Sequence, residues 1–255
     1  MSPRKGVDRA PAHALETELI SCIMPTRDRP HFVRQALRYF ARQTYTRSEL
    51  LVIDDGDEPV ERLCEGQPRV RYFRLERPTL TGTKMNLGIE QARGLVLQKM
   101  DDDDYYHPEF LQRASAAMPA DRDQCSRTVV AWDCFLVLFA GQRSVRFSGH
   151  GWNAGGTLCF RREMWERRAF RDVRTGCDSW FLADHEPAIE RVCAPEHYIL
   201  VRHGNNTWTR MDDGMQADEY LASLPPYEKP LDAIVNSDDL PFYSALSKPT
   251  AGCEW

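Results

Sequence analysis

LVLQKMDDDD, residues 95–104, runs from a short apolar segment straight into four consecutive carboxylates. An apolar run of this length suits a strand buried on both faces, as in a parallel sheet. Adjacent carboxylates repel one another, so four together are costly unless they are solvated or neutralised, and a hard divalent cation with oxygen ligands is the usual remedy. A solvated acidic loop is the bland alternative. Position favours a ligand, because open α/β sheets bind theirs beyond the carboxyl ends of the strands.

Working upstream, LISCIM (19–24) is a second apolar run, stopped by Pro25. Pro30 fits the first position of a helix, and Val33, Ala36, Leu37, Phe40 and Ala41 recur on one face of it. LLVI (50–53) is another buried strand, ending at Asp54, Asp55 and Gly56. A short helix over 59–65, a strand over 69–75 and a helix over 81–93 follow, with Gly94 standing where a C-terminal cap belongs. The β-α-β-α-β-α-β order predicts a doubly wound, mostly parallel α/β sheet with helices on both faces. It gathers residues 26–29, 54–55 and 101–104 at one edge.

Downstream the pattern loosens. Apolar stretches occupy 129–140 and 156–160, helices are expected over 161–168 and 179–191, and a strand over 197–201. Residues 1–17 read as a loose lead-in and 225–255 as an irregular tail or lid.

Composition narrows the partners. A net charge of −5 argues against a general nucleic-acid binder, although 33 Lys and Arg leave room for a local anionic ligand. The eight cysteines form no C-x-x-C pair and read as reduced, mostly core thiols of a cytoplasmic protein. No segment reaches the roughly eighteen apolar residues of a membrane span, and no apolar signal core is expected at the N-terminus.

At this point four motifs, in order, resemble a known family. SCIMPTRDRP (21–30) is similar to the opening strand and loop of the family 2 glycosyltransferases, and LVIDDG (51–56) to their second strand. KMNLGIEQARG (84–94) is similar to the helix before their metal motif, and MDDDD (100–104) with Pro108 to the D-x-D motif itself. The resemblance is strong over 18–112 and weaker to about 210. It implies a single domain of GT-A fold, with a nucleotide-sugar-binding half at 18–112 and an acceptor-binding, catalytic half at 113–224.

By that resemblance Thr26 and Asp55 contact the nucleotide base, Arg29 belongs to the same loop, and Asp101 and Asp102 face the ribose and phosphates. Asp103 binds Mn²⁺ or Mg²⁺. Lys84 stands where the family commonly has arginine and keeps a diphosphate role, with a surface helix position as its alternative. Asp54 reads as a turn or helix cap. Asp178, within RTGCDSWFL (174–182), aligns with the family's catalytic base, though it also suits a helix N-cap. Asp184 and Glu186 are fallback bases.

His203 is a candidate for the metal shell, and His107 is read as fixing the acidic loop. Trp152 and Asn153, in a glycine-rich segment, are candidates for donor-sugar or acceptor contact, against a core tryptophan in a tight turn. The implied reaction is metal-dependent, inverting transfer of a sugar from a nucleoside diphosphate donor, UDP-sugar favoured, to an acceptor hydroxyl. The acceptor class stays open among glycan, lipid-linked sugar, natural product and protein. Two rivals remain. A sugar-phosphate nucleotidyltransferase needs a glycine-rich first loop, which 25–30 lacks; a non-catalytic nucleotide-sugar-binding protein would keep the fold without turnover.

Overall fold

In a computed structural model, residues 18–211 and 214–246 are described. The lead-in, the end of the C-terminal segment and Cys253 lie outside them. The first half follows the expected alternation: β1 (Ile20–Thr26), α1 (Pro30–Ala41), β2 (Ser48–Asp54), α2 (Glu61–Cys64), β3 (Val70–Arg74), α3 (Thr81–Gln91) and β4 (Val96–Lys99). Then come β5 (Tyr105–Tyr106), α4 (Phe110–Ala117), α5 (Arg122–Cys125), β6 (Thr128–Trp132), β7 (Leu136–Phe139), β8 (Val145–Phe147) and β9 (Cys159–Arg161). The last elements are α6 (Arg162–Arg167), α7 (Cys177–His185), β10 (Ala188–Val192), β11 (Tyr198–Arg202), α8 (Ala217–Ser223) and α9 (Leu240–Ala245).

Seven strands form the main sheet in the order β10-β6-β9-β4-β1-β2-β3. Only β9 runs against the others, pairing antiparallel with both β4 and β6. The chain winds outward from β1 through β2 to β3 and then returns to place β4 on the other side of β1. The β1/β4 boundary is therefore the switch point at which a crevice opens beyond the strand ends. Helix α3 lies close over β1 and β2, because a Cβ on Gly88 would come within 2.5 Å of Ile23 and 3.1 Å of Ile53. Only glycine permits that approach.

A second sheet, β5-β11-β7-β8, was not expected from sequence. The apolar run 129–140 is two strands, β6 and β7, which belong to different sheets and are separated at Asp133–Phe135. Tertiary pairing, rather than hydropathy, divides them.

Two further expectations are corrected. The helix expected over 179–191 ends at His185, because Glu186 takes a left-handed conformation (φ 43°) and Pro187 follows. Residues 188–192 instead pair in parallel with β6. Gly94 does not cap α3 in a left-handed turn; its N–H donates to Ser21 Oγ (2.8 Å), and a Cβ there would meet the Leu19 carbonyl oxygen at 2.3 Å. In the C-terminal segment, Asp239 and Tyr243 contact α1: Gln35 Nε2 donates to Asp239 Oδ1 (2.7 Å), Arg42 pairs with Asp239, and the Tyr39 and Tyr243 hydroxyls bond.

At the entrance to β11, His197 stacks on His107 (centroids 4.2 Å apart), and the His107 N–H donates to the His197 carbonyl (3.0 Å). Burial, with the nearby His107 and Arg113, lowers the His197 pKa to about 4. The unfolded chain takes up this proton near pH ~6.5, which the fold refuses until the lower value. Stability is thus complete above that window and falls as pH drops through it. The urea midpoint is expected to be lower near pH ~5 than near pH ~7. His197→Gln should flatten this dependence; an unchanged slope would assign it to other groups.

Candidate active site

The acidic run leaves β4 at the switch point, and its four members have four different environments. Asp101 accepts from Lys99 Nζ at 2.6 and 2.7 Å, one bond to each oxygen. Its own N–H donates to the Tyr106 hydroxyl (2.7 Å), which in turn donates to the Gly156 carbonyl (2.9 Å). Burial works against the Lys99 charge, but Asp101 and Asp178 outweigh it and hold the ammonium pKa above its ordinary value.

Asp102 points inward. Its Oδ2 accepts from Thr26 Oγ1 (2.6 Å) and its Oδ1 from Arg29 Nη1 (3.1 Å). Burial and the neighbouring Asp103 charge raise its pKa to about 6, against the pull of Arg29 and Thr26.

Asp103 Oδ2 is the meeting point of the site. It receives Arg29 Nη1 (2.8 Å) and Asn206 Nδ2 (3.4 Å) and lies 2.9 Å from His203 Nε2. Burial pushes its pKa up, but His203 and Arg29 prevail and the net direction is down. Arg29 also donates to the Asn205 carbonyl, which ties the loop after β1 to the loop after β11.

Asp104 is the structural member. It is 2% exposed, receives the Tyr198 hydroxyl, and accepts the Val201 N–H at 2.9 Å. These bonds fasten the acidic loop to β11 and so bring His203 to Asp103.

Behind this row, Lys84 donates to the Thr26 carbonyl (2.8 Å) and pairs with Asp55, whose other oxygen receives the Thr79 N–H. Lys84 is 5% exposed, which removes the surface-helix alternative. Asp54 accepts from the N–H groups of Gly56 (2.8 Å) and Val60 (3.0 Å) and caps that turn.

Across the crevice, Asp178 lies in the first turn of α7, where the helix dipole favours a carboxylate. Gly176, not Asp178, is the N-cap. The Cys177 thiol donates to Asp178 Oδ1 (3.2 Å), and Oδ2 rests over Gly155, where a Cβ would meet it at 1.8 Å. A Cβ on the neighbouring Gly156 would sit 2.8 Å from Asp101 Oδ2, so the bare 155–156 backbone leaves room for both carboxylates. Helix α7 is anchored by the Phe181 ring stacked on Phe170 (4.2 Å, 12°).

The fallback bases are engaged elsewhere: Asp184 pairs with Arg168 and Arg171, and Glu186 is exposed at the end of α7. Trp152 packs its ring edge-on against Phe135 (5.3 Å) and donates Nε1 to the Ser148 carbonyl (3.0 Å). Asn153 Oδ1 is buried without a hydrogen-bond partner.

Lys99, Tyr106, Tyr198 and Asn206 were missed from sequence. A lysine in the buried strand run LVLQKM, directly before the carboxylates, was a visible signal for the first. The tyrosines carried none.

Asp103 and His203 suit a divalent cation. Cis ligands on an octahedral ion with bonds of about 2.1 Å lie about 3 Å apart, and a carboxylate with an imidazole is a donor set taken by Mn²⁺. The Asp103–His203 separation of 2.9 Å is that of a hydrogen bond, and Arg29 supplies positive charge at the same oxygen, so a cation would take the place of these contacts.

Comparisons with known proteins bear on the family and the fold. The sequence model described as Glycosyl transferase family 2 matches residues 21–154. An uncharacterized glycosyltransferase of Haemophilus influenzae is 28% identical over 100 residues, covering 37% of this chain and 40% of its own length. Uncharacterized glycosyltransferases of Rickettsia felis and Rickettsia conorii are each 28% identical over 97 residues, which span 36% of this chain and 16% of theirs.

Among solved structures, S. aureus TarS 1-349 in complex with UDP-GlcNAc superposes with a TM-score of 0.57 at 18% identity, over 74% of this chain and 60% of that one. The mannosyltransferase PcManGT from Pyrobaculum calidifontis, in complex with GDP-Man and Mn²⁺, gives 0.58 at 16%, over 78% and 60%. The fold is GT-A, and with just over half of its length matched, the chain belongs to glycosyl transferase family 2.

Proposed function

We propose that this protein transfers a sugar from a nucleoside diphosphate donor to an acceptor hydroxyl, with inversion at the anomeric carbon. The observation that carries the reading is the pair of unlike carboxylates across the switch-point crevice. Asp103 is clustered with Arg29 and His203, while Asp178 is held over Gly155 by Cys177.

Asp103 and His203 would hold Mn²⁺ or Mg²⁺, which supplies a counter-charge for the departing diphosphate. Thr26 and Arg29 border the nucleotide on the β1 side. Asp102 acts by orienting both of them, and Lys84 with Asp55 fixes the Thr26 backbone beneath. Lys99 keeps Asp101 paired beside Gly156, where the donor sugar would rest. Asp178 Oδ2 accepts the proton of the acceptor hydroxyl as it attacks, a general-base role that a carboxylate in hydrogen-bond reach performs. Direct displacement by one activated acceptor inverts the carbon. Trp152 acts by shaping the 151–156 segment.

UDP-sugars are the favoured donors and GDP-sugars the alternative, following the two bound neighbours. Among the described residues no helix is long and apolar enough to cross a membrane.

The test is a panel of UDP-, dTDP- and GDP-sugars incubated with Mn²⁺, with and without candidate acceptors. Release of nucleoside diphosphate from one donor is expected, abolished by chelator. Pyrophosphate release from a nucleoside triphosphate, or binding with no turnover on any acceptor, would reject the reading.

A further inference from the structure

A second group of metal-ligand side chains lies apart from the acidic run. Asp133 and Cys134 leave the end of β6, Cys193 leaves the end of β10, and His150 comes from the loop after β8. One ligand atom from each lies within 4.8 Å of all the others. The convergence is built by the sheet: Trp132 and Val192 pair in register, so the residues after them emerge side by side, and the Asp133 N–H donates to the Val192 carbonyl (3.1 Å). Ser148 N–H to the Phe135 carbonyl (3.0 Å) brings the His150 loop to the same place.

The spacing fits a tetrahedral ion. Two thiolates on zinc at about 2.3 Å are about 3.8 Å apart, and a thiolate and an imidazole about 3.6 Å. Cys134 Sγ and Cys193 Sγ are 3.7 Å apart, and Cys193 Sγ is 3.9 Å from His150 Nδ1. His150 Nδ1 to Asp133 Oδ2, at 2.7 Å, is a hydrogen bond that would open slightly around the ion. A disulfide needs sulfurs at about 2.05 Å, well short of the 3.7 Å between Cys134 and Cys193.

The carboxylate of this group is itself held in place. Asp133 Oδ1 accepts the Gly151 N–H (2.8 Å), and Arg191 Nε lies 3.9 Å away. Two thiolates and one carboxylate around a divalent ion leave one net negative charge, which Arg191 faces.

We propose that Asp133, Cys134, His150 and Cys193 form a structural Zn²⁺ site that pegs the 148–156 loop to the ends of β6 and β10. On binding, the ion replaces the thiol protons of Cys134 and Cys193, which are released to solvent. Four protein ligands close the coordination sphere, so the ion holds structure and does no chemistry. The pegged loop leads to Gly155 under Asp178. That consequence for acceptor positioning rests on the transfer reaction proposed above; the metal site does not.

The experiment measures metal content and leaves activity aside. The full chain is purified from zinc-supplemented cells, dialysed with a weak chelator and analysed for zinc against protein. One equivalent is expected, and loading with Co²⁺ instead should give a thiolate charge-transfer band. Cys193→Ser and His150→Ala alter exposed positions, and each should lower zinc retention at least tenfold with the circular dichroism spectrum unchanged. Asp103→Asn should keep its zinc, separating this ion from the one at the acidic run. Failure of the wild-type chain to retain zinc, full retention in both variants, or a Cys134–Cys193 disulfide in peptide mass analysis would overturn the proposal.

Discussion

Asp178→Asn is expected to lower the transfer rate about a thousandfold, within the range a positioned general base supplies, while donor affinity stays within about threefold. The amide keeps the shape and cannot take the acceptor proton. The hydrogen bonds of Thr26, Arg29, Asp102 and Asp103 stay in place, because Asp178 shares none of them; its partner is the Cys177 thiol, and its reach toward Lys99 and Asp101 is electrostatic only. The measurement is a single-turnover rate with saturating donor and acceptor, alongside calorimetric titration of the nucleoside diphosphate. Gly155→Ala offers a check that leaves the carboxylate in place. Its Cβ would fall 1.8 Å from Asp178 Oδ2, so the side chain must leave its position and most of the rate should go with it. Full activity in Asp178→Asn would remove the base assignment. Loss of rate together with loss of nucleotide binding would point to a collapsed crevice instead.

The first half was legible because each local signal agreed with the fold. Apolar runs without alternation became β1, β2 and β4, and Pro30 began α1 where its missing N–H does no harm. The same agreement put the acidic run at the switch point. Beyond residue 128 the deciding contacts are non-local. Nothing in FLVL (135–138) says that β7 joins β11 rather than extending β6. Nothing in the sequence around Asp104 says that its carboxylate will hold β11.

The fate of each aspartate was likewise illegible. Four identical side chains are sorted only by what lies opposite: Lys99 for Asp101, Thr26 and Arg29 for Asp102, His203 for Asp103, and Tyr198 for Asp104. The docking of Asp239 on α1 is of the same kind, since the partners are about 200 residues apart in sequence.

Asp103→Asn is expected to reduce kcat/KM by about a hundred- to a thousandfold and to raise the Mn²⁺ concentration needed for half-maximal activity more than tenfold. A hundredfold corresponds to about 2.7 kcal/mol of lost transition-state stabilisation. The charge is what matters, since the amide preserves volume but leaves Arg29 and His203 with a weak neutral partner.

The neighbouring Asp104→Ala separates a metal role from a structural one. It deprives Val201 N–H and the Tyr198 hydroxyl of their acceptor in a site shut off from water, a loss of about 1–3 kcal/mol for each unsatisfied group. Its unfolding midpoint should fall clearly, and that of Asp103→Asn should move less, because the amide keeps the volume and its oxygen can still accept from Arg29 and Asn206. Activity against Mn²⁺ concentration and urea denaturation on both variants therefore give opposite patterns. Full activity of Asp103→Asn in excess chelator would exclude a cation there. A shared fall in stability would instead make the whole acidic run a structural brace for β11.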